Sequence, residues 1–336
     1  MQKVFCFGEF LLRMSPELNR NWLHNAHIPV YMGGAELNVA TALSKWNVPV
    51  KYCTALPVNF MSSEIVEELN AKNIDTTPIH FSGKRIGVYY LQQGADLKKV
   101  DVIYDRADSS FANLKTGMID WDDVLKDCDW FHFSAISPAL SQESFEVCKE
   151  AVKAASSKGL TISVDLNYRA KLWQYGISPD ERMPELVSYC HLVMGNIWAA
   201  EKLLGINSAI KNSNGKSVNE LIDAASESMN EIQQLFPSVK NIAYTFRLEE
   251  KYFAVLQQPT SPTASMILPL NNIIDKVGSG DCFMASLIYG LRNQFEAADL
   301  INFAAAAAVG KMQEKGDATN QTIESILDNI NSYSPL

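Results

Sequence analysis

An α/β fold built on a doubly wound parallel sheet is predicted by three observations. Short β-branched or aromatic runs alternate with helix-like stretches over most of the 336 residues. Those runs are predominantly apolar, as expected of strands buried on both faces. Only two stretches break the rhythm by alternating apolar with polar residues, and they predict a small antiparallel sheet standing off the main one.

Val4 to Phe7, Val50 to Thr54, Trp130 to Ser134, Thr161 to Asp165, Leu192 to Met194 and Asn241 to Thr245 read as the buried parallel strands. Between them Ala35 to Trp46, Ser62 to Lys72, Ser141 to Ser157, Ile197 to Leu204 and Val218 to Phe236 read as helices. The exceptions are roughly Leu11 to Tyr31 and Gly83 to Phe111, where Val88 to Leu91 and Val100 to Tyr104 carry the alternation. Such a sheet can cover a site, so the expected organisation is one domain over 1–336, with lid segments near 11–31 and 83–111. The run Ala304 to Ala308 lies in a helical pattern and predicts close helix packing, and the polar stretch Asn207 to Lys216 predicts a surface loop.

A chain of this length with 47 % hydrophobic residues can bury a sizeable core. Its net charge of −9 argues against nucleic acid or an anionic membrane as main partner, although a local basic pocket remains compatible with it. A small-molecule substrate fits better. Six scattered cysteines form no C-x-x-C pair and share no ligand spacing with histidine, which predicts a reduced, cytoplasmic protein without structural zinc. The amino terminus enters an apolar strand directly, and nothing marks the chain for export or membrane insertion.

Three motifs carry chemistry. In Asp275-Lys276-Val277-Gly278-Ser279-Gly280-Asp281-Cys282-Phe283, short residues let main-chain N–H groups gather around an anion, and the following helix directs its positive end there. Bound phosphate repels a carboxylate, so Asp281 suits proton transfer from an attacking hydroxyl; helix N-capping is the alternative. Gly33-Gly34-Ala35-Glu36-Leu37-Asn38 opens a helix, and Asn38 can point an amide at a polar ligand, unless the motif is an ordinary strand-to-helix turn. In Asp165-Leu166-Asn167-Tyr168-Arg169, alternation at the carboxyl end of a strand puts three polar groups where open α/β sheets bind ligands; a surface salt-bridge cluster is the alternative.

With these motifs the chain resembles the ribokinase-like (phosphofructokinase-B) carbohydrate kinases from Gly8-Glu9 to Asp281, the family usually reading D-T-x-G-A-G-D at the last motif. The N-terminal Gly8 to Pro16 run, Gly-Gly-Ala-Glu-Leu-Asn-Val-Ala and D-x-N-x-R-x-x-L-W are most similar to the 2-keto-3-deoxygluconate kinases. The resemblance implies a ribokinase-like fold, with ATP and Mg²⁺ as co-substrate and cofactor. It makes Asp281 the catalytic base and Gly278, Ser279 and Gly280 the anion hole. It also implies a sugar acid held by Gly34, Asn38, Tyr89, Tyr104, Arg106, Asn167 and Arg169, and a nucleotide near Asn196, Thr245, Gly278 and Gly280. Two arginines suit a substrate carboxylate, which they bind by charge-assisted forks, and a neutral ketose does not need them. For Arg106 a pair with Asp105 or Asp108 on an exposed strand is the alternative.

The implied reaction is ATP-dependent phosphorylation of the 6-hydroxyl of 2-keto-3-deoxygluconate, giving 2-keto-3-deoxy-6-phosphogluconate. Fructose or 5-keto-2-deoxygluconate as acceptor within the same family is the nearest alternative, and a sugar-acid binding protein without turnover a further one. A dinucleotide-dependent dehydrogenase is disfavoured, because the Gly278-Ser279-Gly280 run has no third glycine and comes late in the chain. The family's lid sheet commonly pairs with that of a second subunit, which implies a homo-oligomer. The chain departs from the family at three places. After Thr245 both glycines of T-x-G-x-x-G are lost. Ala199 stands at the glutamate of N-x-x-E, which begins at Asn196, with Glu201 two residues on, so the magnesium ligands are not assigned. Val277 replaces the usual threonine, which leaves use of a monovalent cation open.

Overall fold

The computed structural model describes residues 2–16, 22–24, 27–92, 102–259 and 262–333. Its centre is a ten-stranded sheet. The parallel part runs, in space, Asn241–Arg247, Leu192–Gly195, Thr161–Asp165, Cys128–Ser134, Lys3–Phe7, Val50–Cys53 and Ile74–Asp75. The chain therefore leaves Lys3–Phe7 first to one side and later to the other. This switch point opens a crevice at the carboxyl ends of the strands. All six expected parallel strands are present in this sheet.

Helices cover both faces. Gln142–Ser157, Pro179–Val187, Ile197–Leu204 and Val218–Leu235 pack on one face around Phe131, Phe133, Val164 and Val193. Ala35–Lys45, Phe60–Ala71, Ser279–Arg292 and Ala297–Met312 pack on the other around Val4, Cys6, Tyr52 and Met194. The helices start where the sequence supplies a cap: Asn59, Ser141, Asn196 and Ser217 each accept the backbone N–H three residues on. Ser217 and Glu220 complete a reciprocal capping box. The alanine run lies buried in Ala297–Met312 against Ser279–Arg292, as expected of small residues that let helices approach.

Two features differ from the sequence-based expectation. Lys251–Gln257, Pro262–Ala264 and Leu268–Pro269 extend the main sheet with antiparallel strands. Lys251–Gln257 folds back on Asn241–Arg247 through a three-residue turn, so the residues after Thr245 form a tight hairpin and not a glycine loop. The small sheet runs Val30–Gly33, Leu11–Met14, Gly87–Tyr90, Ile103–Asp105. Its outer pairs are antiparallel, but its central pair is parallel, because strands so far apart in sequence need no hairpin to join them. Parts of the expected lid segments, 17–21, 25–26 and 93–101 with Val100 and Asp101, lie outside the described residues.

Candidate active site

A cleft of about 690 Å³ lies at the carboxyl ends of the central strands, bounded by the small sheet and the Asp275–Asp281 loop. Gly34, Asn38, Tyr89, Tyr104 and Arg106 line it on one side, and Asn167, Arg169, Asn196 and Thr245 on the other. Gly278, Ser279, Gly280 and Asp281 form its floor. Every residue singled out from the sequence as a site residue is therefore brought to one cavity.

The floor follows from two close approaches. Gly278 has φ +77°, and a Cβ there would come within 1.7 Å of the Asp317 main-chain oxygen, so only glycine fits. Ser279–Arg292 begins directly after it, with no side chain capping its amino end, which leaves first-turn amides to hold an anion. Asp281 is the third residue of that helix and not its cap. Its Oδ2 accepts from Asn38 Nδ2 at 2.7 Å, across 243 residues of sequence. Gly34 makes this contact possible. It enters the helix Ala35–Lys45 at φ +130°, where a Cβ would lie 2.4 Å from the Glu9 carbonyl oxygen.

Burial pushes the Asp281 carboxyl up to about 7; the Asn38 hydrogen bond opposes this, and the Glu36 charge adds to it. Asp165, at the end of its strand, is pushed well above the usual carboxylate range by burial and then by Asp281. Arg169 pulls both back toward ionisation. Two carboxyls thus share this end of the cleft with one guanidinium and with Asn38 Oδ1, a buried acceptor without a partner among the described residues. Asp165, Asn167 and Arg169 do line the cleft together. Strand alternation is not the reason, since the strand stops at Asp165 and the following loop wraps the cavity with Leu166 and Tyr168 included.

Arg106 is 5 % exposed and does not pair with Asp105 or Asp108. Its Nε donates to Glu9 Oε2 at 2.5 Å, and its Nη2 lies at the same distance from that oxygen. Ser109 donates to the other Glu9 oxygen. Asp105 pairs instead with Arg85 at 2.7 Å. Tyr89 turns its hydroxyl onto Asp317 Oδ2 at 2.6 Å.

The opposite wall is built differently. Asn196 spends its side-chain oxygen on the Ala199 N–H as a helix cap, at 3.0 Å. The helix Ile197–Leu204 presents Trp198, Ala199 and Lys202 to the cleft, and Glu201 is not among the lining residues. Glu201 therefore does not stand in for the missing glutamate; one turn on, a lysine does the facing. Arg247, at the first lost glycine of T-x-G-x-x-G, also lines the cleft. With Arg106, Arg169, Lys171 and Lys276 the lining carries six basic side chains against Asp165, Asp281 and Asp317, a local excess of positive charge in a chain of net charge −9. Such a cavity suits phosphates and a carboxylate. Among the described residues no group of three or more His, Cys, Asp or Glu is arranged to hold a metal. The donor set fits a magnesium ion that arrives on nucleotide phosphates and water.

Asp317, Lys202 and Tyr252 line the cleft without having been singled out from the sequence. Asp317 follows Gly316, a left-handed turn position after the alanine-rich helix, which was the one available signal. Among the described residues no helix is long and apolar enough to cross a membrane.

This geometry has close relatives. A solved 2-dehydro-3-deoxygluconokinase from Thermotoga maritima is 31 % identical, with 98 % of this chain and 100 % of that one covered at a TM-score of 0.88. The 2-dehydro-3-deoxygalactonokinase of Haloferax volcanii is 31 % identical over 171 residues, 51 % of this chain and 54 % of its own. The chain thus spans about half the length of that relative. A ribokinase II from E. coli, described as putative and solved with ATP and Mg²⁺, shares the fold at 18 % identity and a TM-score of 0.79, with 99 % of this chain and 100 % of that one covered. The model of the pfkB family carbohydrate kinases matches residues 1–240 and 252–324, so the chain belongs to that family.

Proposed function

We propose that this chain transfers the γ-phosphoryl group of MgATP to the 6-hydroxyl of 2-keto-3-deoxygluconate. The observation that carries the reading is Asp281: a buried carboxyl at the uncapped start of a helix, in one cleft with Arg106 and Arg169. The likeness to a 2-dehydro-3-deoxygluconokinase supports the keto-acid, and the ATP and Mg²⁺ of the ribokinase II support the phosphoryl donor.

The acceptor hydroxyl lies against Asp281, with Asn38 fixing the orientation of the carboxylate. An alcohol is a far weaker acid than a carboxyl group, so Asp281 orients the hydroxyl and takes its proton late, as the bond to phosphorus forms. The amides of Gly278, Ser279 and Gly280 receive the charge on the phosphoryl oxygens. Magnesium bound to the phosphates offsets their charge. Lys202, Arg247 and Lys276 hold the nucleotide phosphates on the opposite wall, beside Asn196 and Thr245. Arg169 and Arg106 take the substrate carboxylate. Glu9 occupies Nε and Nη2 of Arg106, which leaves its remaining N–H groups for the ligand. Gly34 permits the close approach of the sugar, while Tyr89, Tyr104 and Asn167 supply hydroxyl and amide contacts.

The small sheet acts as a lid on one domain, excluding water that would otherwise accept the phosphoryl group. Its outer face is mostly apolar: Val30, Met14, Tyr90 and Ile103 form one cross-strand row, and Met32, Leu12 and Val88 the next, which ends on Asp105. Val30 is 52 % and Ile103 61 % exposed, which supports pairing with the lid of a second copy. Six buried free cysteines fit a reducing, cytoplasmic setting.

An ADP-release assay with MgATP across keto-acids and ketohexoses tests the substrate. The keto-acid should exceed neutral fructose in kcat/KM by about 10² or more, the worth of a satisfied charge pair, whereas 5-keto-2-deoxygluconate carries the same carboxylate and should be the poorer acceptor by a smaller factor, through the position of its ketone. Equal or better use of fructose would move the reading to the nearest alternative, and no turnover with any acceptor would favour a binding protein.

A further inference from the structure

Beneath the anion hole lies a charge cluster that the transfer mechanism does not use. Arg13, on the small sheet, is 0 % exposed. Its Nη2 donates to Asp275 Oδ2 at 2.7 Å, and its Nε lies 2.8 Å from Asp317 Oδ1. Both residues adjoin the hole through the backbone: Asp275 opens the loop, and the Asp317 main-chain oxygen fills the space beside Gly278. One guanidinium cannot balance two buried carboxylates, and an uncompensated negative charge here would weaken the site meant to receive phosphoryl oxygens.

Lys311 supplies a second positive charge. It sits in the last turn of Ala297–Met312, is 0 % exposed, and its Nζ has no hydrogen-bond partner among the described residues. A lysine is rarely buried so completely unless its charge is used. The adjacent Met312 carbonyl accepts from the Ile274 and Asp275 N–H groups at 2.8 and 3.1 Å, which ties this helix end to the start of the loop. Burial lowers the pKa of Lys311, while Asp275, Cys282, Glu314 and Asp317 favour its charged form.

We propose that Lys311 is a positioning residue, a fixed cation within the chain that balances Asp275 and Asp317 and holds the Asp275–Gly278 loop in its anion-binding shape. It takes the place that an exchangeable monovalent cation would otherwise fill. The inference rests on the kinase reading for its activity measurements, but not for its binding measurement.

The test begins with the unaltered protein. Turnover of the best acceptor in potassium, ammonium and tetramethylammonium buffers of equal ionic strength should agree within about twofold; activation by potassium of more than about tenfold would overturn the proposal. Lys311→Met should lower kcat about tenfold or more with a smaller change in the sugar KM, and added potassium or ammonium should recover much of the loss. Lys311→Met combined with Asp317→Asn removes one charge of each sign; it should fold if the single variant does not, and should regain part of the lost kcat. A folded Lys311→Met with normal kcat, or a loss that neither cations nor the second substitution relieve, would overturn it. Calorimetric binding of the magnesium complex of β,γ-imido-ATP should follow the same pattern, weakening in Lys311→Met and recovering with potassium. Should the protein turn over no acceptor, the kinase reading fails while this binding pattern still decides the role of Lys311.

Discussion

The two walls of the cleft are built on opposite plans. On the acceptor side the polar groups are buried and engaged: Asn38 with Asp281, Tyr89 with Asp317, Arg106 with Glu9. On the nucleotide side Asn196 is used as a helix cap, Lys202 is exposed, and Lys276 and Arg247 are half-buried. A preorganised wall selects by geometry, because each ligand group must meet a donor that cannot move. An exposed cation such as Lys202 attracts phosphate charge with little demand on position. The acceptor side should therefore tolerate substitution poorly and the nucleotide side well.

The sharpest break is expected at the floor that both walls share. Gly278→Ala would force a Cβ into the Asp317 carbonyl, so we expect phosphoryl transfer to fall by about 10³ or more and the melting temperature to drop. A folded variant with near-normal turnover would show that the loop does not need this shape.

Next come the two arginines. Arg169→Ala should raise the sugar-acid KM by about 10² with little change in KM for ATP. Arg106→Ala should do the same and also destabilise the fold by about 3–5 kcal/mol, because it strands Glu9, which is 2 % exposed. Equal changes in both KM values would remove the proposed carboxylate clamp.

Proton linkage gives a smaller effect with a defined sign. The Asp281 carboxyl is raised to about 7, so kcat/KM should climb as pH rises through that value and the base ionises. The folded state holds this proton more tightly than the unfolded chain does, so the stability it contributes is present below about pH 4 and lost as pH rises toward 7. Asp281→Asn should therefore raise the melting temperature more at pH 8 than at pH 4. The smallest effect is expected at the exposed lysine of the opposite wall: Lys202→Ala should raise KM for ATP only about two- to fivefold.

What the sequence made legible follows the same division. The six parallel strands were visible because both faces of each are largely buried, so their runs are predominantly apolar. The Asp281 and Asn38 motifs were visible because glycines mark the backbone approaches that position them. Partners across the fold were not: Glu9 lies 97 residues from Arg106, and nothing local in either segment declares the pair. Lys311 was hidden in an alanine-rich helix whose composition predicts packing but not which way its last lysine turns. The parallel centre of the small sheet was hidden too, since alternation tells which face is buried but not how strands run relative to each other.

The account depends most on Asp281 as the base. Single-turnover phosphoryl transfer from MgATP to 2-keto-3-deoxygluconate by Asp281→Asn, measured beside the sugar-acid dissociation constant, tests it directly. We predict transfer slowed by about 10² or more with the dissociation constant within about threefold of the unaltered protein. Transfer at a near-normal rate would contradict the account.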